Sequence, residues 1–296
     1  MNLLWVAFTL CGAAGQVARN AMQRGLTPQL GPLGAALVRF VFGFPFALLF
    51  LIIVLGVTHT PVPPLSWNFA LWTLMGALTQ IGATALMLAA MEDRSFVVVT
   101  AYLKTEPVLV ALMGLVFLHD RLTPAMTGAI TLAMAGVFII SVKPGALRVG
   151  MRPALQGIAA AALFGASAVG YRGAILSLKT GFALASTVSL AAGLSVQTLL
   201  LMAWLLIFNR RTLLALTRLW KPSLAAGFTG AAASQFWFLA FALATAASVR
   251  TLALIEVLFA LVVTRFAFRQ KTTARDITGI ALLLTGAVLI IYTHAN

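Results

Sequence analysis

Apolar residues run along this chain in blocks of about 20, the length that crosses ~30 Å of hydrocarbon as a helix. Ten such blocks can be drawn: Leu3 to Gln23, Leu33 to Val57, Trp67 to Ala90, Ser95 to Leu118, Thr123 to Val142, Pro153 to Ser177, Phe182 to Phe208, Pro222 to Thr245, Val249 to Phe268 and Thr273 to Thr293. A spanning strand would alternate polarity at every second residue, and these runs are apolar on all sides, so helices are the credible spanning form. Short connections separate them, punctuated by turn formers such as Gly31-Pro32, Pro63-Pro64, Pro144-Gly145 and Lys221-Pro222. The pattern predicts an all-α membrane protein with ten transmembrane helices.

Composition strengthens that reading. Of 296 residues 61% are hydrophobic and 9% charged, too few polar side chains to cover a soluble fold. The net charge of +14 raises the question of nucleic acid, but no basic block is interleaved with stacking aromatics, and no nucleic-acid partner is expected. The charge is topological instead. Arg24, Arg94, Lys143, Arg148, Arg152, Arg210, Arg211, Arg218, Lys221, Arg269, Lys271 and Arg275 fall in odd-numbered connections, whereas the even-numbered ones hold only Arg121 and Lys179. By the positive-inside rule the odd connections are cytoplasmic, which puts both termini outside.

Several chemistries lack their parts. The one cysteine, Cys11, excludes an internal disulfide and a multi-cysteine metal site. His59, His119 and His294 lie at segment ends, so no metal cluster is expected, and nothing implies a cofactor. No Gly-x-x-x-x-Gly-Lys loop occurs, which argues against ATP-driven pumping. Met1 is followed by no basic region, and Leu3 onwards reads as a first span rather than a cleavable signal.

The chain also repeats itself. At an offset of 150, Glu106 meets Glu256, Gly136 meets Gly286, Ile140 meets Ile290, and 116–123 meets 266–273. Residues 10–19 match 163–172 at an offset of 153, pairing Arg19 with Arg172, and Gln80 corresponds to Gln235 at 155. Two repeats, 1–147 and 148–296, are therefore expected. Five helices per repeat is an odd number, so the second copy enters the membrane upside down. Inverted repeats of this kind place a binding site near the bilayer midplane and allow alternating access to it.

These residues resemble the drug/metabolite transporter superfamily, in its ten-helix EamA-type branch. The likeness rests on Leu10-Cys11-Gly12 and Leu163-Phe164-Gly165, on Glu106-Pro107-Val108, and on the Asp120-Arg121-Leu122-Thr123 turn leading to Gly128 and Gly136. It covers nearly the whole chain. Glu256-Val257-Leu258 departs from it, because a proline is expected after the acid and a kink there loses its basis. The resemblance implies a secondary carrier or exporter of small metabolites such as amino acids, often proton-coupled, in the inner membrane. Family members are usually drawn with cytoplasmic termini, opposite to the charge count.

Glu106 and Glu256 are the leading site candidates, since an ionisable group at bilayer depth is expensive and marks a pathway. They read as substrate or proton groups; the competing reading is a buried carboxylate satisfied by a structural Arg or Lys. Lys104 lies about 200° around the helix from Glu106 and should meet another helix or a cavity, as a site or as a counter-ion. Pro107 frees a backbone acceptor and kinks the helix beside Glu106. Arg19, Arg39 and Arg172 suit gating or substrate contact, or else snorkel to the interface; Arg250 and Arg265 read as interfacial anchors. Gln80 and Gln235 could bind substrate or join helices, and Tyr102, Tyr171 and Trp237 could line a cavity or simply pack.

The function expected is a non-enzymatic secondary transporter of a small metabolite. The excess of intramembrane cations favours a carboxylate-bearing substrate, while the paired acids would equally suit an amine. A passive channel or facilitator is the alternative reading. An intramembrane enzyme has less support, as the sequence holds no paired-His motif and no nucleophile elbow. Oligomeric state is left open, a monomer being compatible with two repeats in one chain.

Overall fold

A computed structural model describes residues 3–93, 102–141, 151–259, 261–262 and 273–295. Among the described residues the apolar blocks form helices and no strand occurs. In chain order these are α1 (Leu4–Val41), α2 (Phe44–Thr58), α3 (Trp67–Asp93), α4 (Glu106–Phe117), α5 (Pro124–Ser141), α6 (Met151–Ser177), α7 (Phe182–Phe208), α8 (Arg210–Arg218), α9 (Trp220–Leu243), α10 (Ala246–Leu252) and α11 (Ala274–Ala295). Among the described residues seven helical stretches are long and apolar enough to cross a membrane: Gly34–Thr58, Trp67–Ala89, Pro124–Ser141, Ala154–Ser177, Phe182–Phe208, Trp220–Leu243 and Ala274–Thr293. Their outer faces are apolar too, with Ile52, Val57, Leu199, Phe208 and Val288 each more than 60% exposed, as lipid-facing residues should be. The chain is a multi-pass membrane protein.

Four boundaries differ from the sequence-based expectation. The turn expected around Gly31-Pro32 is carried by one residue: α1 runs on to Val41, and only Gly31 leaves helical geometry, at φ 71° and ψ 168°. Leu26 and Leu30 are buried in that stretch, and Gln23 Nε2 donates to the Ala35 carbonyl at 2.8 Å across the bend, which holds the backbone helical on both sides. The break comes later, at Phe42–Gly43, before α2 opens with Pro45 in its first turn. The fourth span, expected as one helix from 95, is interrupted at Lys104–Thr105, so that Glu106 starts α4 instead of sitting at mid-helix. The ninth holds a 3₁₀ turn, Ala253–Ile255, immediately before Glu256, although no proline is there. The last difference is α8, a short helix in a segment read as a loop. Arg265, and Arg94, Lys143, Arg148, Arg269 and Lys271 among the loop cations, lie outside the described residues.

Two compact units form, and neither is continuous in sequence. Unit 1 comprises Met1–Leu10, Gly82–Val169 and Ala244–Asn296; unit 2 comprises Cys11–Ile81 and Gly170–Leu243. In unit 1, α5 and α11 approach at backbone distance. A Cβ on Gly136 would stand 2.5 Å from both Gly279 O and Leu283 N, and one on Gly286 would stand 2.5 Å from Ala133 N. Rising residue numbers on α5 meet falling ones on α11, so the two helices are antiparallel. Arg275 Nε adds a hydrogen bond to Ile139 O at 2.7 Å. Small residues let membrane helices come this close, where dispersion between backbones replaces the hydrophobic effect that lipid cannot supply. Ala133, Val137, Leu254 and Leu283 are buried together at this seam.

Unit 2 uses glycine differently, as slots for aromatic rings. Tyr171 is seated between Gly76 and Gly193, with ring atoms 2.9 and 2.7 Å from where their Cβ atoms would be, and Trp237 lies 3.0 Å from the corresponding point on Gly12. Phe46 and Phe50 meet Phe228 edge-on, at 5.2 and 6.4 Å between centroids.

Candidate functional site

Each unit gathers its own polar cluster. In unit 1 the two acids are engaged by bases more than 140 residues away in sequence. Thr105 caps α4 and its carbonyl accepts from Val108 N, while Pro107, which has no N–H to leave orphaned, occupies the first turn. Glu106 therefore sits at the positive end of a helix, a favourable place for an anion. Arg250 from the end of α10 grips it with both prongs, Nε to Oε1 and Nη2 to Oε2, each at 2.6 Å. The second pair joins Lys104 Nζ to Glu256 Oε1. All four side chains are less than 20% exposed. Two acids against two bases make a neutral cluster, which removes most of the cost of burying any one of the charges.

Each carboxylate follows a local loss of α-helix, at Lys104–Thr105 for Glu106 and at Ala253–Ile255 for Glu256. The reading of Glu106 and Glu256 as carboxylates satisfied by Arg or Lys describes this arrangement, and Lys104 meets another helix as its wheel position suggested. Arg250 is a correction. It is no interfacial anchor but the bidentate partner of Glu106, because α10 begins at Ala246, before the expected span start at Val249, and carries Arg250 within a helix whose neighbouring Val249 and Thr251 are fully buried.

Unit 2 is built of opposite electrostatics. None of the six acids of the chain falls within its residues, yet Arg19, Arg39 and Arg172 all do. Arg39, Phe40, Gln80, Tyr171, Leu190, Leu194, Gln197, Ser234 and Phe238 enclose a cavity of about 30 Å³. That is room for one or two waters. Gln80 Oε1 accepts from Gln197 Nε2 at 2.7 Å and from the Tyr171 hydroxyl at 3.4 Å, tying α3, α6 and α7 together at the cavity wall. The Arg39 guanidinium lies 4.3 Å over the Phe40 ring. Arg19 is 8% exposed, hydrogen-bonds to Asn20, and meets Arg39 over Gly230: a Cβ on that glycine would be 3.2 Å from Arg19 Cδ and 3.4 Å from Arg39 Cβ. Glycine there lets two cationic side chains converge.

The remaining candidates are more scattered. Arg172 Nη1 donates to Phe241 O at 2.7 Å, Gln235 Nε2 donates to Thr187 Oγ1 at 2.9 Å, and Trp237 is buried against Gly12; none of the three lines the cavity. Tyr102 is half-buried against Gly157, one turn before Glu106. Gln197, 1% exposed, was not singled out from sequence, although a lone amide in the apolar run of α7 was a legible signal. Among the described residues no group of three or more His, Cys, Asp or Glu could hold a metal ion.

Residues 3–142 match the EamA-like transporter family. No curated protein matches the chain. A solved crystal structure, described only as that of a protein, superposes with a TM-score of 0.69 over 96% of this chain and 98% of its own, at 15% identity. At that identity the likeness is one of fold. It is thus the segment 3–142 that belongs with the EamA-like transporters, a family of the drug/metabolite transporter superfamily.

Proposed function

We propose that the chain is a secondary transporter that exports a small carboxylate-bearing metabolite, an amino acid or a related organic acid, across the inner membrane. The observation that carries this reading is the cavity of unit 2, where Arg39 and four neutral hydrogen-bonding side chains, Gln80, Tyr171, Gln197 and Ser234, converge in a unit whose sequence holds no acid. A carboxylate docked there finds a fixed cation and amide donors in a low-dielectric setting, and an amine finds repulsion. The present volume suits water, so uptake of a metabolite requires the walls to part, which is the opening step of alternating access.

Ten spans in two inverted five-helix repeats, 1–147 and 148–296, supply the proposed device. Support comes from the reciprocity at α5 and α11: Gly136 meets Gly279 and Leu283, while its repeat partner Gly286 meets Ala129 and Ala133, their counterparts at the same offset of 150. Two copies related by a two-fold axis in the membrane plane produce antiparallel, mutually exchanged contacts of this kind. Glu106 and Glu256 are the coupling groups in this reading. When reorientation opens either ion pair, the released carboxylate takes up a proton instead of standing charged in hydrocarbon.

Uptake into proteoliposomes tests the proposal, after a thermal-shift screen of metabolites identifies a ligand that raises the apparent stability of the purified chain. A carrier gives saturable flux that substrate on the far side accelerates; flux that neither saturates nor shows trans-stimulation would assign a channel. Glu106→Gln and Glu256→Gln should flatten the dependence of uptake on pH at matched incorporation. Wild-type pH dependence in both variants would remove the proton-coupling role.

A further inference from the structure

The connection between α7 and α9 is unlike the others. α7 ends in residues that face lipid: Trp204, Ile207 and Phe208 are 40%, 69% and 71% exposed, and the Trp204 and Phe208 rings lie 6.1 Å apart. The hydrocarbon boundary therefore falls here. Asn209 then caps α8 by accepting from Thr212 N at 3.2 Å, and the chain turns into a helix nine residues long. Leu216, 1% exposed, anchors one side of it to the protein.

The opposite side is cationic and apolar at once. Arg211 and Arg218, seven residues and two turns apart, share a face with Leu214, which is 61% exposed between them. Together with Gln29, Ala215 and Leu219 they line an open cleft of about 430 Å³. Trp220 follows at 51% exposed, with Lys221 Nζ 5.7 Å from its ring centre. Water alone does not explain outward leucine and tryptophan among arginines. A helix lying in the bilayer interface does, since apolar groups reach the acyl boundary while the basic groups meet phosphate.

We propose that α8 is a binding site for an anionic phospholipid, its headgroup phosphate held in the cleft by Arg211 and Arg218 and its chains running over Leu214 and the exposed end of α7. The positive-inside count assigns this connection to the cytoplasmic leaflet, where anionic lipids are presented. No acid in unit 2 competes for the two guanidinium groups. The site is separate from the Arg39 cavity, and its test does not depend on transport.

Native mass spectrometry of the full chain in detergent, titrated with phosphatidylglycerol, phosphatidylcholine or glycerol 3-phosphate, tests it. The wild type should bind phosphatidylglycerol about tenfold more tightly than phosphatidylcholine, and R211Q/R218Q should lose about that factor. R211K/R218K, which keeps the charge, should retain most of the preference, and R121Q, at an exposed arginine in the connection before α5, should retain all of it. Single R211Q and R218Q variants, each losing part of the effect, replace the double variant if it fails to elute as a monodisperse species. Equal binding of the two lipids, or unchanged phosphatidylglycerol binding in the arginine-to-glutamine variants, would overturn the proposal. So would displacement of phosphatidylglycerol by an equal concentration of glycerol 3-phosphate, which would make the cleft a site for soluble phosphates.

Discussion

Glu106 and Glu256 owe their stability among apolar side chains to bases that come from the far end of the chain. Removing one partner leaves the other charge buried, which costs about 3–5 kcal/mol, whereas removing both leaves a nearly apolar gap. Glu106→Gln alone should therefore lower the Tm of the purified protein more than Glu106→Gln combined with Arg250→Gln. The double-mutant cycle should return a coupling of at least ~1 kcal/mol. Additive losses would contradict the bidentate contact. What sequence conveyed at this scale was the existence of the two acids and their matched offset. Their partners were not legible, because Lys104 cannot reach Glu106 around its own helix and the pairs close over more than 140 residues. Arg250 was misjudged for a further reason: a span starting at Val249 puts it at the very end, whereas α10 already starts at Ala246.

Elements differ in how much of their role periodicity can carry. The long apolar runs announced α3, α5, α6, α7, α9 and α11 because lipid demands the same length of each. A search for such runs passes over α8, nine residues whose polarity lies on one face. Nor does it show which glycines are contacts. Gly136 and Gly128 sit on the same helix, but a Cβ on Gly136 collides with α11 backbone at 2.5 Å, and one on Gly128 meets nothing within 4 Å. Gly136→Ala should thus destabilise by about 1–3 kcal/mol through forced separation of α5 and α11. Gly128→Ala should be neutral or stabilise by up to ~1 kcal/mol through helix propensity. Equal Tm values for the two variants would mean that the α5–α11 seam is looser than described.

Over the whole molecule the acids and bases are sorted: every acid lies in unit 1, where Glu106 and Glu256 are neutralised in pairs, and the acid-free unit 2 holds the Arg39 cavity. The loop cations predict an orientation with both termini outside. A reporter active only outside the cytoplasm, fused after Asn296, should be active; a silent reporter with full expression would reverse the topology and leave the span count untouched. The sorting itself was present in the sequence but invisible there, since unit 2 is assembled from two segments separated by 88 residues of unit 1. The central claim, that this cationic cavity selects a carboxylate, is tested most directly by counterflow in proteoliposomes, comparing an amino acid with its amide in wild type and Arg39→Gln. The account predicts exchange of the acid at least tenfold faster than of the amide in wild type, and loss of that preference, with ~1.4 kcal/mol or more of discrimination, in the variant. Equal exchange of acid and amide by the wild type, or an acid preference undiminished in Arg39→Gln, would contradict it.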